Sequence, residues 1–94
     1  MSNYAWELEP VDGRKSFYRK AIVLVGKGDT LYLKSYDTIV AAIVKGKFHR
    51  LWSGWSATTG RHVNAFAVRN GLEPIGKPMW DKMPVEYIGS LQEV

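Results

Sequence analysis

At 94 residues the chain has room for one domain and not two, and 46% apolar against 23% charged residues place it with globular proteins. It contains no cysteine, which excludes a disulfide framework, Cys-based zinc sites and thiol chemistry. A net charge of +4 favours an acidic partner only weakly.

The first expected element is a strand over Tyr4 to Val11, with Pro10 marking an edge position or the strand's end. Asp12-Gly13 is a turn signal. Phe17 to Val25 alternates as a second strand, with Phe17, Arg19, Ala21, Val23 and Val25 on one face. Gly26-Lys27-Gly28-Asp29 closes it with a hairpin-type loop. Thr30 to Ser35 forms a third strand that ends at Tyr36-Asp37. Thr38 to Val44 is apolar on both faces and β-branched at five positions, which predicts a central strand covered at least partly on both sides. Lys45-Gly46-Lys47 then turns the chain into a strand over Phe48 to Trp52.

Beyond Ser53-Gly54-Trp55 the pattern becomes helical. Ser56, Thr58 and Thr59 offer N-caps, and Asn70-Gly71 offers a stop after which Leu72 folds back. At about 100° per residue, Thr59, Val63, Phe66 and Asn70 share a face. Gly60 in the first turn costs about 1 kcal/mol relative to alanine. The tail from Glu73 to Val94 carries Pro74, Pro78 and Pro84, which rule out one long helix. An irregular arm that packs Trp80 and Met83 on the domain is expected, with a short strand or turn of helix over Val85 to Leu91.

The expected fold is therefore α+β: an antiparallel meander of four to five strands with one helix packed on one face. It forms a single domain over 1–94, with sheet and helix up to residue 72 and the Pro-containing C-terminal arm after it. Ile39, Ala41, Ile43, Val63 and Phe66 are expected to be buried together. The longest apolar run, Ile39 to Val44, is strand-sized, and no basic segment followed by an apolar stretch opens the chain. No membrane association and a cytoplasmic location are the expectations.

The motifs point away from chemistry. Gly26-x-Gly28 lacks a third glycine and leads into a strand, so hairpin turns explain it better than nucleotide binding. His49 and His62 are the only histidines, too few for an ordinary catalytic zinc site without help from Asp29 or Asp37, and no metal or other cofactor is expected. Ser56, Thr58 and Thr59 lie close to His62, but helix capping accounts for the hydroxyls and no carboxylate lies within ten residues of the histidine. No catalytic residue is assigned.

Acidic residues gather near both ends, whereas Asp29 and Asp37 are the only carboxylates between Arg14 and Arg69. Within that basic span, Arg50 to Arg69 is the most distinctive stretch. On a helical wheel Arg61, His62 and Arg69 form a basic flank away from Val63 and Phe66, with Trp52 and Trp55 in the preceding loop. Cations beside aromatics near a helix N-terminus suit an anion or an interface, while the plainer reading is a solvated basic face with tryptophans in the core. Arg50, Trp52, Trp55, Arg61, His62 and Arg69 are the candidate partner-binding residues. A nucleic-acid-binding role would draw on Lys45, Lys47, Arg50, Arg61 and Arg69, and a small enzyme is the remotest reading.

Ser35-Tyr36-Asp37-Thr38-x-Val40-Ala41, followed by Trp52-x-Gly54-x-Ser56-x-Thr58-Thr59-x-Arg61-His62-x-x-x-Phe66, resembles a family of small uncharacterised domains carried by bacteriophages and prophages. The similarity covers about the first 70 residues, and the Thr-Thr-x-Arg-His-x-x-x-Phe core is its most specific part. The resemblance implies a setting and no activity: a phage-type accessory protein in a bacterial cytoplasm, binding a host macromolecule. A host protein is the first expectation for that partner, with anti-defence inhibition as a possible outcome, and nucleic acid is the second.

Overall fold

The computed structural model describes residues 4–13 and 16–89. Five strands, β1 (Ala5–Glu7), β2 (Ala21–Val25), β3 (Thr30–Ser35), β4 (Thr38–Val44) and β5 (Lys47–Arg50), precede α1 (Ala57–Arg69) and α2 (Lys77–Lys82). The strands lie in sequence order and every pair is antiparallel, so the sheet is a meander and the fold is α+β.

Turn chemistry sets most of the register. Lys45 and Gly46, with φ of 51° and 84°, turn β4 into β5 in the left-handed pair of a type I′ hairpin. The start of β2 departs from expectation. Phe17 to Lys20 is a tight turn, closed by Lys20 N–H donating to Phe17 O at 3.0 Å, with Tyr18 and Arg19 both at positive φ. The strand begins only at Ala21, and Arg19 does not share the inward face. β1 is likewise shorter than Tyr4 to Val11 and ends before Pro10.

β4 lies inside the sheet but beside the edge strand, so β3 and not β4 occupies the centre. Register shifts where Leu33 pairs with Ala41 while Lys34 pairs with Ile39, leaving Val40 as an extra residue on β4. The bulge turns Val40 into the core and puts Ile39 on the opposite face. Ala41, Ile43, Val63 and Phe66 are buried together as expected, and Ile39 is not part of that core.

α1 starts at the N-cap Ser56, whose hydroxyl accepts the Thr59 N–H at 3.0 Å. It ends in a Schellman arrangement: Gly71 N–H donates to Val68 O and Leu72 N–H to Ala67 O, with Gly71 at φ +81°. The helix buries Val63, Ala65, Phe66 and Ala67 against Ala21, Val23, Leu33 and Ala41. The segment after it is more regular than expected, because residues 77–82 form α2. Asn64 Oδ1 accepts from the backbone of Ile75 and Gly76, and Trp80, fully buried, packs edge-on to Phe48. Val85 bridges Arg50 in parallel; residues 90 and 91 of the expected last element lie outside the described residues.

Both helices thus cover one side of the sheet. The other side carries Ile22, Leu24, Tyr32, Ile39, Ala42 and Val44, none of which joins the core cluster. Among the described residues no helix is long and apolar enough to cross a membrane.

Candidate functional site

The structure divides the residues singled out from sequence into braces and core. Arg50 is 8% exposed and serves the fold. Its guanidinium donates to the carbonyls of Trp52, Ser53, Trp80 and Met83 at 2.7–3.1 Å and lies over the Trp80 ring at 5.0 Å. It ties the loop after β5 to α2, with four of its five N–H donors taken up by these carbonyls. Trp52 and Trp55 are half-buried on the core's margin, Trp55 against Trp80 with ring centroids 5.6 Å apart.

His62 is not on the basic flank. It is buried, with Nδ1 2.8 Å from the Ser35 hydroxyl, which in turn lies 2.9 Å from the Thr59 hydroxyl. Phe17 meets the imidazole edge-on at 4.5 Å. Burial pushes the His62 pKa down to about 4, with the Arg61 charge adding to the effect, so the ring is neutral at physiological pH. The wheel misplaced it because the buried arc of α1, which includes Thr59, Gly60 and His62, is wider than the Val63–Phe66 stripe.

Arg61 and Arg69 do share the exposed flank, and both reach back to the segment after β1. Arg61 Nε donates to Asp12 Oδ2 at 2.6 Å and its guanidinium lies 5.0 Å from the Phe17 ring centre. The hydrogen bond to Asp12 holds its pKa above the ordinary value. Arg69 donates to the carbonyls of Glu9 and Pro10. Both arginines fasten the chain between β1 and β2 across the helix.

The Arg61 and His62 contacts with Phe17 lie at one end of the sheet, where the turn at 17–20 meets the Tyr36-Asp37 turn. Tyr36 N–H donates to Lys20 O at 2.8 Å, Arg19 N–H donates to a Glu7 carboxylate oxygen at 2.8 Å, and Lys20 Nζ lies 5.7 Å from the Tyr36 ring centre. Tyr36 also leans on His62 at 5.8 Å. Tyr18, Arg19 and Tyr36 all have φ between 53° and 67°, a conformation that costs a side-chain-bearing residue about 1–2 kcal/mol. Tyr18 is 67% exposed and Tyr36 48%. Three strained residues in two adjoining turns present two tyrosines and flanking cations to solvent.

Sequence reading missed Tyr18, Lys20 and Tyr36 as surface candidates. One signal was present: Ser35-Tyr36-Asp37-Thr38 joins two strands with a two-residue turn that has no glycine or asparagine at its first position.

Elsewhere the side chains offer less. Ser35 and His62 form a buried hydroxyl–imidazole pair 2.8 Å apart. His49 Nδ1 pairs with Glu86 at 2.9 Å on the β5 edge. No group of three His, Cys, Asp or Glu able to hold a metal exists among the described residues. An open cleft of about 360 Å³ at the opposite end of the sheet has Val25, Leu31 and Ile43 in its lining, with Asp29, Thr30 and Asn70 as its polar groups.

The chain matches a protein family over residues 6–82, described as a family of unknown function, DUF8033, and it belongs to that family. The matched region runs through α2 and so includes Trp80. No curated protein and no solved structure matches the chain.

Proposed function

We propose that this member of the DUF8033 family is a non-enzymatic binding module that engages another protein through the turn end of its sheet, with Tyr18, Lys20 and Tyr36 as the contacting side chains. The observation that carries this reading is the left-handed backbone at Tyr18, Arg19 and Tyr36. Glycine would relieve the strain in each position, and the chain instead keeps two tyrosines and an arginine there, two of the residue types that dominate interface hot spots.

Charge favours a protein partner over nucleic acid. Around the turns the described cations Arg19, Lys20 and Arg61 share the surface with the carboxylates Glu7, Asp12 and Asp37, of which Asp12 pairs with Arg61 and Glu7 accepts from the Arg19 backbone. A phosphate track needs an excess of cations, and among the described residues around the turns cations and carboxylates are equal in number. In the setting suggested by the motif resemblance, a phage-type accessory protein in a bacterial cytoplasm, the partner is a host protein, and anti-defence inhibition is the role such binding would serve.

The test is capture from bacterial lysate with the tagged chain, with and without nuclease, beside Tyr18→Ala/Tyr36→Ala and Arg69→Ala. A discrete protein retained after nuclease treatment, lost with the tyrosine pair and kept with Arg69→Ala, supports the reading. Nuclease-sensitive capture, or capture indifferent to the tyrosines, overturns it.

A further inference from the structure

The sheet runs on past the end of α1, and the excess leaves a hollow. The row Val25–Leu31–Ile43–Phe48 crosses four strands on the helix side, next to the Val23–Leu33–Ala41 row that α1 buries. Phe48 is covered by Phe66 and Trp80, but α1 ends at Arg69, and its C-cap Asn70 reaches only the margin of the space beyond. Val25, Leu31 and Ile43 thus floor the cleft of about 360 Å³, with exposure rising from 4% at Ile43 to 37% at Val25. The β2–β3 and β4–β5 turns form the opposite wall, joined by Lys45 N–H donating to Asp29 O at 3.0 Å. The volume is at the lower end of the range of small-molecule sites.

We infer that this cleft binds a small organic cation, an ammonium or guanidinium group carried on a short apolar body. Two independent features make its polar side negative. Asp29 is one of only two carboxylates between Arg14 and Arg69, and it lines the cleft. Two residues before Leu31, it falls on the same side of the chain's alternation as that floor residue. Among the described residues its carboxylate makes no ion pair. The second feature is the C-terminal end of α1, where aligned peptides leave about half a negative charge. Arg69, the basic side chain of its last turn, is engaged by the carbonyls of Glu9 and Pro10. The apolar floor then suits the body that carries the cation. A bare divalent ion fits poorly, since it takes six or more oxygen ligands and the floor offers none. Lys27 and Lys45 stand on the same two turns, outside the lining, and would draw an anion instead. The sign of the ligand's charge is therefore what the experiment must decide.

Amide and methyl NMR of the full chain, titrated with hexylammonium, hexanoate and hexanol, compares a positive, a negative and a neutral head on one apolar body. Hexylammonium is expected to saturate with Kd of about 1 mM, shifting Val25, Leu31, Ile43 and Asn70, and to bind about tenfold tighter than the other two. Asp29→Asn should weaken hexylammonium about tenfold and leave hexanol unchanged. Should that variant misfold, the three heads compared on the parent chain decide alone. Nα-acetyl-lysine methylamide separates two sources of the cation: binding equal to hexylammonium assigns it to a peptide side chain, and much weaker binding to a free amine. Hexanoate or hexanol binding as tightly as hexylammonium overturns the inference. So do shifts that scatter or fail to saturate, or an Asp29→Asn chain that binds hexylammonium undiminished. The cleft lies at the far end of the sheet from Tyr18 and Tyr36, so loss of the captured protein partner leaves every one of these outcomes unaffected.

Discussion

Gly60→Ala reverses the sign that helix propensity alone assigns to it. Glycine within a helix is about 1 kcal/mol less favourable than alanine, so an exposed Gly60 would predict stabilisation by that amount. Here the added Cβ would overlap Trp55 Cζ2 outright and stand 2.9 Å from Cη2 and 3.0 Å from Cε2. The indole cannot yield freely, because it packs on the margin of the core against Trp80. Forcing an extra methyl into such a contact costs about 1–3 kcal/mol. Set against the propensity gain, the net expectation is a loss of about 1 kcal/mol. The same substitution in a Trp55→Ala background meets no indole and should stabilise by about 1 kcal/mol. Urea denaturation followed by far-UV circular dichroism on all four chains gives the coupling, expected at about 1–3 kcal/mol. A Gly60→Ala protein that is more stable than its parent, or a cycle with no coupling, refutes the account of Gly60 as the seat of Trp55.

Arg50→Lys should cost about 2–3 kcal/mol in the same assay, because one ammonium cannot span the four carbonyls on two segments that the guanidinium joins. For His62, the folded pKa of about 4 lies below the unfolded value of 6.5, so the unfolded chain takes the proton first. Its contribution is intact above pH 6.5 and drains as pH falls towards 4, by about 3 kcal/mol at most; denaturation curves at steps across that window should show the loss, and His62→Gln should remove this component. Tyr18→Gly should leave the fold equal or more stable by about 0.5–1 kcal/mol, since relief of the left-handed strain exceeds the entropy of glycine, while the captured partner is lost.

Where local chemistry alone determines an element, the sequence was enough. Thr30–Ser35 and Thr38–Val44 were legible to the residue because strand-forming runs end at turn residues, and α1 in outline because Ser56, one of three N-cap candidates, and Gly71 bound it. What escaped depends on contacts between distant segments. Nothing near Val40 announces a bulge, which exists to reconcile β3 with β4 and thereby moves Ile39 across the sheet. The turn at 17–20 carries no glycine, and its left-handed pair coincides with anchors supplied from afar, the Glu7 carboxylate and the Ser35-Tyr36 backbone. The candidate site suffered most. Arg50 and His62 look like surface groups by residue type, yet one finds four carbonyls and the other finds Ser35, 27 residues away. Of the six residues proposed from sequence, Arg61 and His62 lie at the turn end that the geometry favours, and His62 is buried beneath it.

The meander also has a bearing on how the chain reaches its native state. Each strand pairs with its neighbour in sequence, so the sheet can assemble hairpin by hairpin with little loop-closure entropy at each step. The Arg50 clamp is different, since it joins the last strand to carbonyls some thirty residues further on, at Trp80 and Met83. On a ribosome those carbonyls emerge after every strand and after α1. Until they arrive, the guanidinium remains hydrated and the Phe48 ring lacks the Trp80 indole that covers it. The stretch from Lys77 to Met83 therefore acts as a latch on a sheet that is already paired, and its closure decides how long the native state persists more than how fast it forms.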